Sequence, residues 1–172
     1  WGGRRQSSAR AYLHPVRSRP NLEIRPNTLV RKVDFQGTRA VGVSVESGGR
    51  PQSVRAGREV ILSAGVIGSP QLLMLSGVGD PHALRTLEIP VLVDRPGVGQ
   101  NLQDHIGVYV RYACTEPITL ARWTSPLARA YLGTQWILTK TGIGASNQFE
   151  TGAFLRAGQA NYANIQFQFA PF

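Results

Sequence analysis

Hydrophobic and polar residues alternate through much of the first third of the chain, which is the pattern of half-buried β-strands. Residues 28–35 are rich in β-branched and aromatic side chains, and residues 39–46 alternate valines with small or polar residues. Residues 52–56 repeat the pattern more weakly. Turn-forming residues at Gly37 and at Gly48 separate the three segments. The pattern predicts three short strands joined by tight turns, as in an antiparallel meander.

A different pattern begins where this meander ends. Residues 59–62 are a short apolar run, which predicts a buried strand, and the small residues Ser63-Ala64-Gly65 follow it. Ser69 has the side chain of a helix N-cap, and proline is favoured at the first helical position. We therefore predict that a helix begins at Pro70 and that Gly77 ends it.

Strand patterns return in the last third of the chain, around one helix. The helix is predicted over residues 126–139. Strands are predicted at residues 108–114, 148–156 and 164–169. The chain is therefore expected to be a mixed α/β protein, an α+β mix in which the meander leads into a central sheet.

The distribution of charge divides the chain unevenly. Residues 1–58 hold 12 of the 19 basic residues and three of the ten acidic ones, so the net charge of +9 lies wholly in this segment. Such a segment is compatible with a nucleic-acid surface or with the flank of an anionic cofactor. One alternative is therefore a basic nucleic-acid-binding module. No nucleic-acid motif and no aromatic interleaving accompany these arginines, so we expect no nucleic-acid partner.

Other compositional features exclude further classes of protein. The single cysteine, Cys114, excludes a disulfide scaffold and a cysteine-based zinc site, and we expect no metal site. No apolar run approaches the ~18 residues of a transmembrane helix. The chain starts at Trp1 without a recognisable secretory signal, so we expect an interior piece of a longer protein. We expect a cytoplasmic or peripheral-membrane location.

Residues 65–79 carry the most specific motif of the sequence. Their order, Gly-Val-Ile-Gly-Ser-Pro-Gln-Leu-Leu-Met-Leu-Ser-Gly-Val-Gly, resembles the second signature of the glucose–methanol–choline (GMC) oxidoreductases, a family of FAD-dependent alcohol oxidases and dehydrogenases. Residues 96–105 resemble the loop that follows it in the family, and residues 8–13 and 21–24 also fit. Val66 stands where the family usually has alanine, and the spacing is intact.

This resemblance implies a fold, a cofactor and a domain boundary. Residues 1–105 would be part of an FAD-binding, Rossmann-like domain with an antiparallel β-meander. Residues 106–172 would be the start of a β-sheet substrate domain. The family's dinucleotide fingerprint and its C-terminal catalytic histidine are not found in this sequence. We therefore expect no catalytic residue within the 172 residues, and we expect His105 to be structural.

The resemblance also implies which residues bind FAD. Val30 matches a residue whose backbone contacts the adenine, and Ser63, Ala64 and Gly65 match the strand end that faces the adenosine side. Asn101 matches a loop near the cofactor. Small residues before a helix let a phosphate approach the backbone N–H groups, which agrees with this role. The same residues also suit an ordinary tight connection between a strand and a helix, because the motif G-x-G-x-x-G is absent.

Residues 145–156 resemble the choline-dehydrogenase branch of the family, and this narrows the substrate. Glu150 aligns with a glutamate that faces the trimethylammonium group of choline. A quaternary ammonium donates no strong hydrogen bond, so a carboxylate and aromatic faces are the groups that can hold it. Phe149, Trp123 and Trp136 are candidate aromatic partners.

The implied reaction is oxidation of the CH–OH group of a primary alcohol, from choline to betaine aldehyde, the step that leads to glycine betaine. The electron acceptor is not indicated, and the parent of such a fragment is compatible with membrane association. A broad-specificity alcohol dehydrogenase, in which Glu150 pairs within its own domain, is the alternative inside the family. A non-catalytic relic of such an enzyme is a further alternative.

Overall fold

The computed structural model describes residues 2–149 and 151–171. The chain divides into two compact units. One is Glu23–Val108, and the other combines Trp1–Leu22 with Tyr109–Phe172. The mixed α/β class predicted from the sequence is confirmed, with antiparallel strands in both units.

The first unit begins with the predicted meander. Strands β1 (Thr28–Gln36), β2 (Arg39–Ser47) and β3 (Arg50–Arg55) form an antiparallel sheet in the order β1-β2-β3. The register slips by one residue at Arg31, which makes a β-bulge between Val30 and Lys32. Val33 of β1 and Val45 of β2 are 5% and 4% exposed and form the core beneath the sheet.

Helix α1 (Gly65–Leu75) follows the meander, and it begins earlier than the sequence predicted. The prediction that Ser69 caps the helix and that Pro70 starts it is wrong, because Pro70 lies inside the helix. A proline at the sixth position leaves only one carbonyl without its helical partner, so the first turn still forms upstream of it. The helix ends as predicted: Gly77 follows it in the left-handed region, with φ +84°.

A short pair of parallel strands completes this unit. Strand β4 (Val78–Gly79) pairs with β5 (Val93–Asp94), and helix α2 (Pro81–Thr86) connects them. Leu84 of α2 is 1% exposed, and it is the most deeply buried large side chain among the described residues. The pair is only two residues long on each side, so Leu84 anchors it more than the ladder does.

Two predicted strands do not form. Residues 59–62 and 108–114 are not strands in the structure, although the sequence of each segment has the hydrophobic pattern of a strand. A strand requires a neighbour for its backbone N–H and C=O groups, and the described part of the chain supplies none for these two segments. The hydrophobic pattern alone could not show whether a strand partner was present.

The second unit is built on one helix and one hairpin. Helix α3 (Pro126–Thr139) has the bounds that the sequence predicted. Strands β6 (Thr151–Leu155) and β7 (Ile165–Phe169) pair antiparallel, with Ala153 opposite Phe167. Four short turns of π or 3-10 helix complete the description, at Ala9–Leu13, His14–Val16, Leu120–Trp123 and Ile143–Ala145.

Candidate functional site

The turn that leads into α1 is open and lacks a side-chain cap. Ala64 occupies the N-cap position, and its own N–H donates to Ser69 Oγ at 2.9 Å. Gly65 has φ +85°, and a Cβ built on it would meet no atom within 4 Å. No side chain caps the N–H groups of the first helical turn. The residues predicted to face adenosine thus leave room for a polar or anionic group to approach the backbone.

Val30 lies on β1, at the edge of the meander. Among the described strands, β1 has a neighbour on one side only, so half of its backbone polar groups lie outside the ladder. Val30 directly precedes the bulge at Arg31, whose guanidinium pairs with the carboxylate of Glu46 on β2. Bulges change the direction of a strand, and here the change falls next to the residue predicted to contact adenine. A backbone contact from Val30 to a ligand is compatible with this position.

A single hydroxyl connects these two elements. Ser76, which caps the C-terminal end of α1, accepts a hydrogen bond from the backbone N–H of Val33 at 2.8 Å. The same hydroxyl donates to the carbonyl oxygen of Leu72 at 2.5 Å. The strand that carries Val30 and the helix that begins at Gly65 are therefore joined within one unit. Sequence reasoning missed this role of Ser76, because a hydrogen bond across 43 positions leaves no local signal.

Asn101 lies in a loop with local hydrogen bonds of its own. Its φ is +57°, a left-handed conformation that asparagine tolerates better than most residues. Its side-chain oxygen accepts from Gln103 Nε2 at 3.1 Å. Asp104 Oδ1 accepts from the backbone N–H of His105 at 2.8 Å. His105 itself is exposed.

The segment predicted to bind the substrate lies in the second unit. Phe149 is 50% exposed, and its N–H donates to Asn147 Oδ1 at 3.1 Å. Gln148 before it has φ +65°, and its N–H donates to Ser146 Oγ at 2.9 Å. Two side-chain-to-backbone turns therefore set the conformation of this segment. Glu150 lies outside the described residues.

Two adjoining cavities lie beside this segment. They have volumes of about 290 and 430 Å³, and Leu120, Ile143 and Gln148 line both. The smaller cavity also contacts Trp123, and the larger one contacts Phe169 of β7. Mostly apolar walls with few polar groups are typical of small-molecule sites. Sequence reasoning did not single out Gln148, although it lies within the segment 145–156, and it missed Ile143, which no motif marks.

The tryptophans considered as ammonium partners already face cations of the chain itself. The Arg122 guanidinium lies 5.0 Å from the ring centroid of Trp123, which also stacks on Tyr131. The ammonium of Lys140 lies 4.1 Å from the ring centroid of Trp136. One face of each indole is thus used by the protein. Of the two, Trp123 is the one that lines a cavity.

The described residues contain neither a metal-binding cluster nor a membrane-spanning helix. Within residues 2–149 and 151–171, no three His, Cys, Asp or Glu side chains lie close enough together to hold a metal ion. Among the same residues, every helix is too short or too polar to cross a membrane. Cys114 is an exposed free thiol.

Comparison with known proteins identifies the class to which this fold and site belong. The family model described as GMC oxidoreductase matches residues 1–107. This chain therefore belongs to the GMC oxidoreductase family, as the resemblance of residues 65–79 and 96–105 had indicated.

Particular relatives are similar over nearly the whole chain. Mitochondrial choline dehydrogenase of Mus musculus is 54% identical over 170 residues, which are 98% of this chain and 28% of that protein. Oxygen-dependent choline dehydrogenase of Pectobacterium carotovorum is 49% identical over 98% of this chain and 30% of its own length. The chain thus spans less than a third of these relatives.

Solved structures share the fold. Formate oxidase superposes with a TM-score of 0.77 and 28% identity, over 91% of this chain and 27% of the oxidase chain. An FAD-dependent oxidoreductase from Chaetomium thermophilum superposes with a TM-score of 0.64 and 36% identity, over 76% of this chain and 23% of that chain. Both comparisons agree with the family assignment.

Proposed function

We propose that this chain is the central part of an FAD-dependent dehydrogenase that oxidises the primary alcohol of choline to betaine aldehyde. The observation that carries the proposal is the 54% identity to a choline dehydrogenase over 98% of the chain. The activity is assigned to the longer protein of which the chain would be a part, which we call the parent enzyme. Residues 1–105 would belong to its cofactor domain and residues 106–172 to its substrate domain.

Exposed apolar surface supports the placement inside a larger protein. Helix α1 is apolar around its whole circumference, yet Val66 and Ile67 are 69% and 70% exposed. A helix that is apolar on all sides is typical of a buried position. Residues 60–62, which lie in no strand of the structure, are also apolar. The rest of the parent enzyme would cover the helix and supply strands on either side of this segment.

The turn before α1 and the edge of β1 fit the adenosine side of FAD. Gly65 leaves open space at the uncapped helix N-terminus, and Val30 has an edge-strand backbone. In the parent enzyme, Ser63, Ala64 and Gly65 would bind and orient the cofactor together with Val30 and Asn101. When bound, FAD supplies the hydride acceptor for alcohol oxidation. The catalytic base would lie outside this chain.

The segment around Phe149 would hold the ammonium end of the substrate. The adjoining cavities have mostly apolar walls, and the half-exposed Phe149 would provide an aromatic face beside them. The Glu150 carboxylate would balance the charge of the trimethylammonium group, because a charge removed from water needs a partner.

Replacing Glu150 by Gln in the parent enzyme tests the substrate. The change removes the charge and keeps the shape, so the KM for choline should rise about tenfold or more. The matched substrate is 3,3-dimethylbutan-1-ol, which replaces the trimethylammonium group by a neutral tert-butyl group of the same shape. Its KM should change less than about twofold. Equal changes for both alcohols would remove the ammonium-binding role and favour a broad-specificity alcohol dehydrogenase.

A further inference from the structure

We propose that Ser76 is a positioning residue for the cofactor. Its hydroxyl would set the placement of α1 relative to β1, and so the placement of Gly65 relative to Val30. The inference rests on the proposed function, since it assumes that these two elements bind FAD. Ser76 itself would not contact the cofactor, because it lies at the opposite end of α1 from Gly65.

The Ser76 hydroxyl is fixed by two hydrogen bonds in opposite senses. It accepts from Val33 N–H at 2.8 Å and donates to Leu72 C=O at 2.5 Å. A serine hydroxyl has one proton to donate, so the second bond fixes the direction of that proton and leaves a lone pair for Val33. The group is partly buried, which limits replacement by water. Position and orientation of the hydroxyl are thus determined together.

The N–H of Val33 on β1 needs a hydrogen-bond acceptor from outside the sheet. Val33 is only 5% exposed, and its N–H lies at the outer edge of the meander, where no described strand pairs with β1. A buried N–H without an acceptor is destabilising, and the Ser76 hydroxyl provides the acceptor that a neighbouring strand would otherwise provide. Val33 is three residues from Val30, and the bulge at Arg31 lies between them. The anchor is therefore close to the residue that it would position.

The geometry of α1 amplifies any loosening at this anchor. A helix of 11 residues is roughly 16 Å long, and a tilt of about 5° about one end moves the other end by roughly 1.4 Å. Gly77, next to Ser76, holds the same end from another side, since its carbonyl accepts from Leu92 N–H at 2.8 Å. Loss of the hydroxyl would remove one of these two restraints and displace the open turn at Gly65. Shifts of about 1 Å are enough to weaken a positioned contact.

Three substitutions in the parent holoenzyme, with one control, test the proposal. Ser76→Ala removes both bonds, Ser76→Cys retains a weak donor and acceptor, and Ser76→Thr retains the hydroxyl. The control is Ser44→Ala, which removes a hydroxyl bond of 2.7 Å to Asp34 in the same sheet. Each variant is stripped of FAD and titrated with it, and thermal unfolding of the apo-protein and kcat at saturating FAD are measured beside the dissociation constant.

The expected results separate positioning from general stability. Ser76→Ala should raise the dissociation constant of FAD roughly five- to tenfold, with Ser76→Cys between it and the wild type. Ser76→Thr should restore the wild-type value within about twofold, and Ser44→Ala should lower the unfolding temperature without changing FAD affinity. Equal losses of FAD affinity in Ser76→Ala and Ser44→Ala would overturn the proposal. So would a Ser76→Ala variant that loses stability but binds FAD normally. A wild-type parent that binds no FAD would instead contradict the proposed function.

Discussion

The indole nitrogen of Trp136 donates a hydrogen bond to the carbonyl oxygen of Gly3 at 2.6 Å, across 133 positions of the chain. Gly3 has φ +63°, and a Cβ on it would lie 1.8 Å from the carbonyl oxygen of Lys140. Lys140 caps α3 in a left-handed conformation and places its ammonium over the Trp136 ring. The segment around Gly3 is therefore held against the C-terminal end of α3, at a site that only glycine fits.

Substituting alanine at Gly3 should release this segment from α3. The methyl group overlaps Lys140 C=O, and neither backbone can yield without breaking the Trp136 hydrogen bond or the helix cap. Gly2→Ala is the matched control, because Gly2 has φ +57° and open space around it. Gly2→Ala should cost only the roughly 1–2 kcal/mol of a left-handed alanine.

Hydrogen exchange of residues 2–5 and unfolding of the parent enzyme measure the difference. Gly3→Ala should lower the free energy of unfolding by roughly 1–3 kcal/mol more than the control, and exchange in this segment should become faster. Equal losses of stability in the two variants would show that the contact with Lys140 carries no energy.

Helix α3 was predicted correctly, and two of the predicted strands do not form. The comparison shows which elements the sequence alone can predict. The bounds of α3 were predictable because its start is local: Ser125 Oγ accepts from Ala128 N–H at 3.3 Å, and Pro126 follows. The segments at 59–62 and 108–114 have clear strand patterns, but a strand forms only beside a partner strand, and such a partner is often far away in sequence. The predicted start of α1 was wrong for a related reason. Ser69 has the side chain of an N-cap residue, but in the structure its Oγ accepts from the N–H of Ala64, upstream of it.

The same distinction between local and non-local signals applies to the residues of the candidate site. Gly65 and Gly77 carry local signals, because a small-residue turn and a helix end both require unusual backbone conformations. The adenine contact proposed for Val30 rests on the family resemblance alone and stays a prediction, since an ordinary apolar strand residue carries no local mark of a backbone contact. Ser76 and Gln148 were missed because their roles depend on residues that approach through the fold. Physical reasoning on the sequence therefore finds the conformational requirements of a site better than its non-local partners.

The carboxylate of Asp80 caps α2 and gives this helix a dependence on pH. Its Oδ1 accepts from His82 N–H at 2.7 Å and from Ala83 N–H at 3.1 Å. These backbone bonds, the one from Ala83 foremost, lower the pKa of Asp80 below its ordinary value of 3.8. The stabilisation is therefore present above that ordinary value, which applies in the unfolded chain, and it is lost as pH falls through the lower pKa of the folded state.

Asp80→Asn should isolate this contribution. Asparagine still caps the helix but carries no charge, so the variant should unfold at a lower temperature than the wild type near neutral pH. The two unfolding temperatures should converge as pH falls below the ordinary pKa. Glu23→Gln is a useful comparison, because the Arg25 side chain lowers the pKa of Glu23 and added salt should weaken that effect. A gap between wild type and Asp80→Asn that stays constant with pH would contradict the capping role of the charge.

Alanine at Gly65 should weaken FAD binding by the parent enzyme far more than its effect on stability explains. Gly65 and Gly48 both have left-handed backbones, with φ +85° and +57°, and both are open to a Cβ. Alanine should therefore cost the apo-protein a similar amount at each position, roughly 1–2 kcal/mol. Only at Gly65 would the new methyl group occupy the space through which the adenosine side of FAD is proposed to reach the helix N-terminus.

The dissociation constant of FAD should rise about tenfold or more for Gly65→Ala and stay near the wild-type value for Gly48→Ala. Titration of the two apo-variants with FAD, with thermal unfolding measured in parallel, makes the comparison. If both variants lose affinity to the same extent, the turn before α1 does not contact the cofactor, and the effect comes from backbone strain alone.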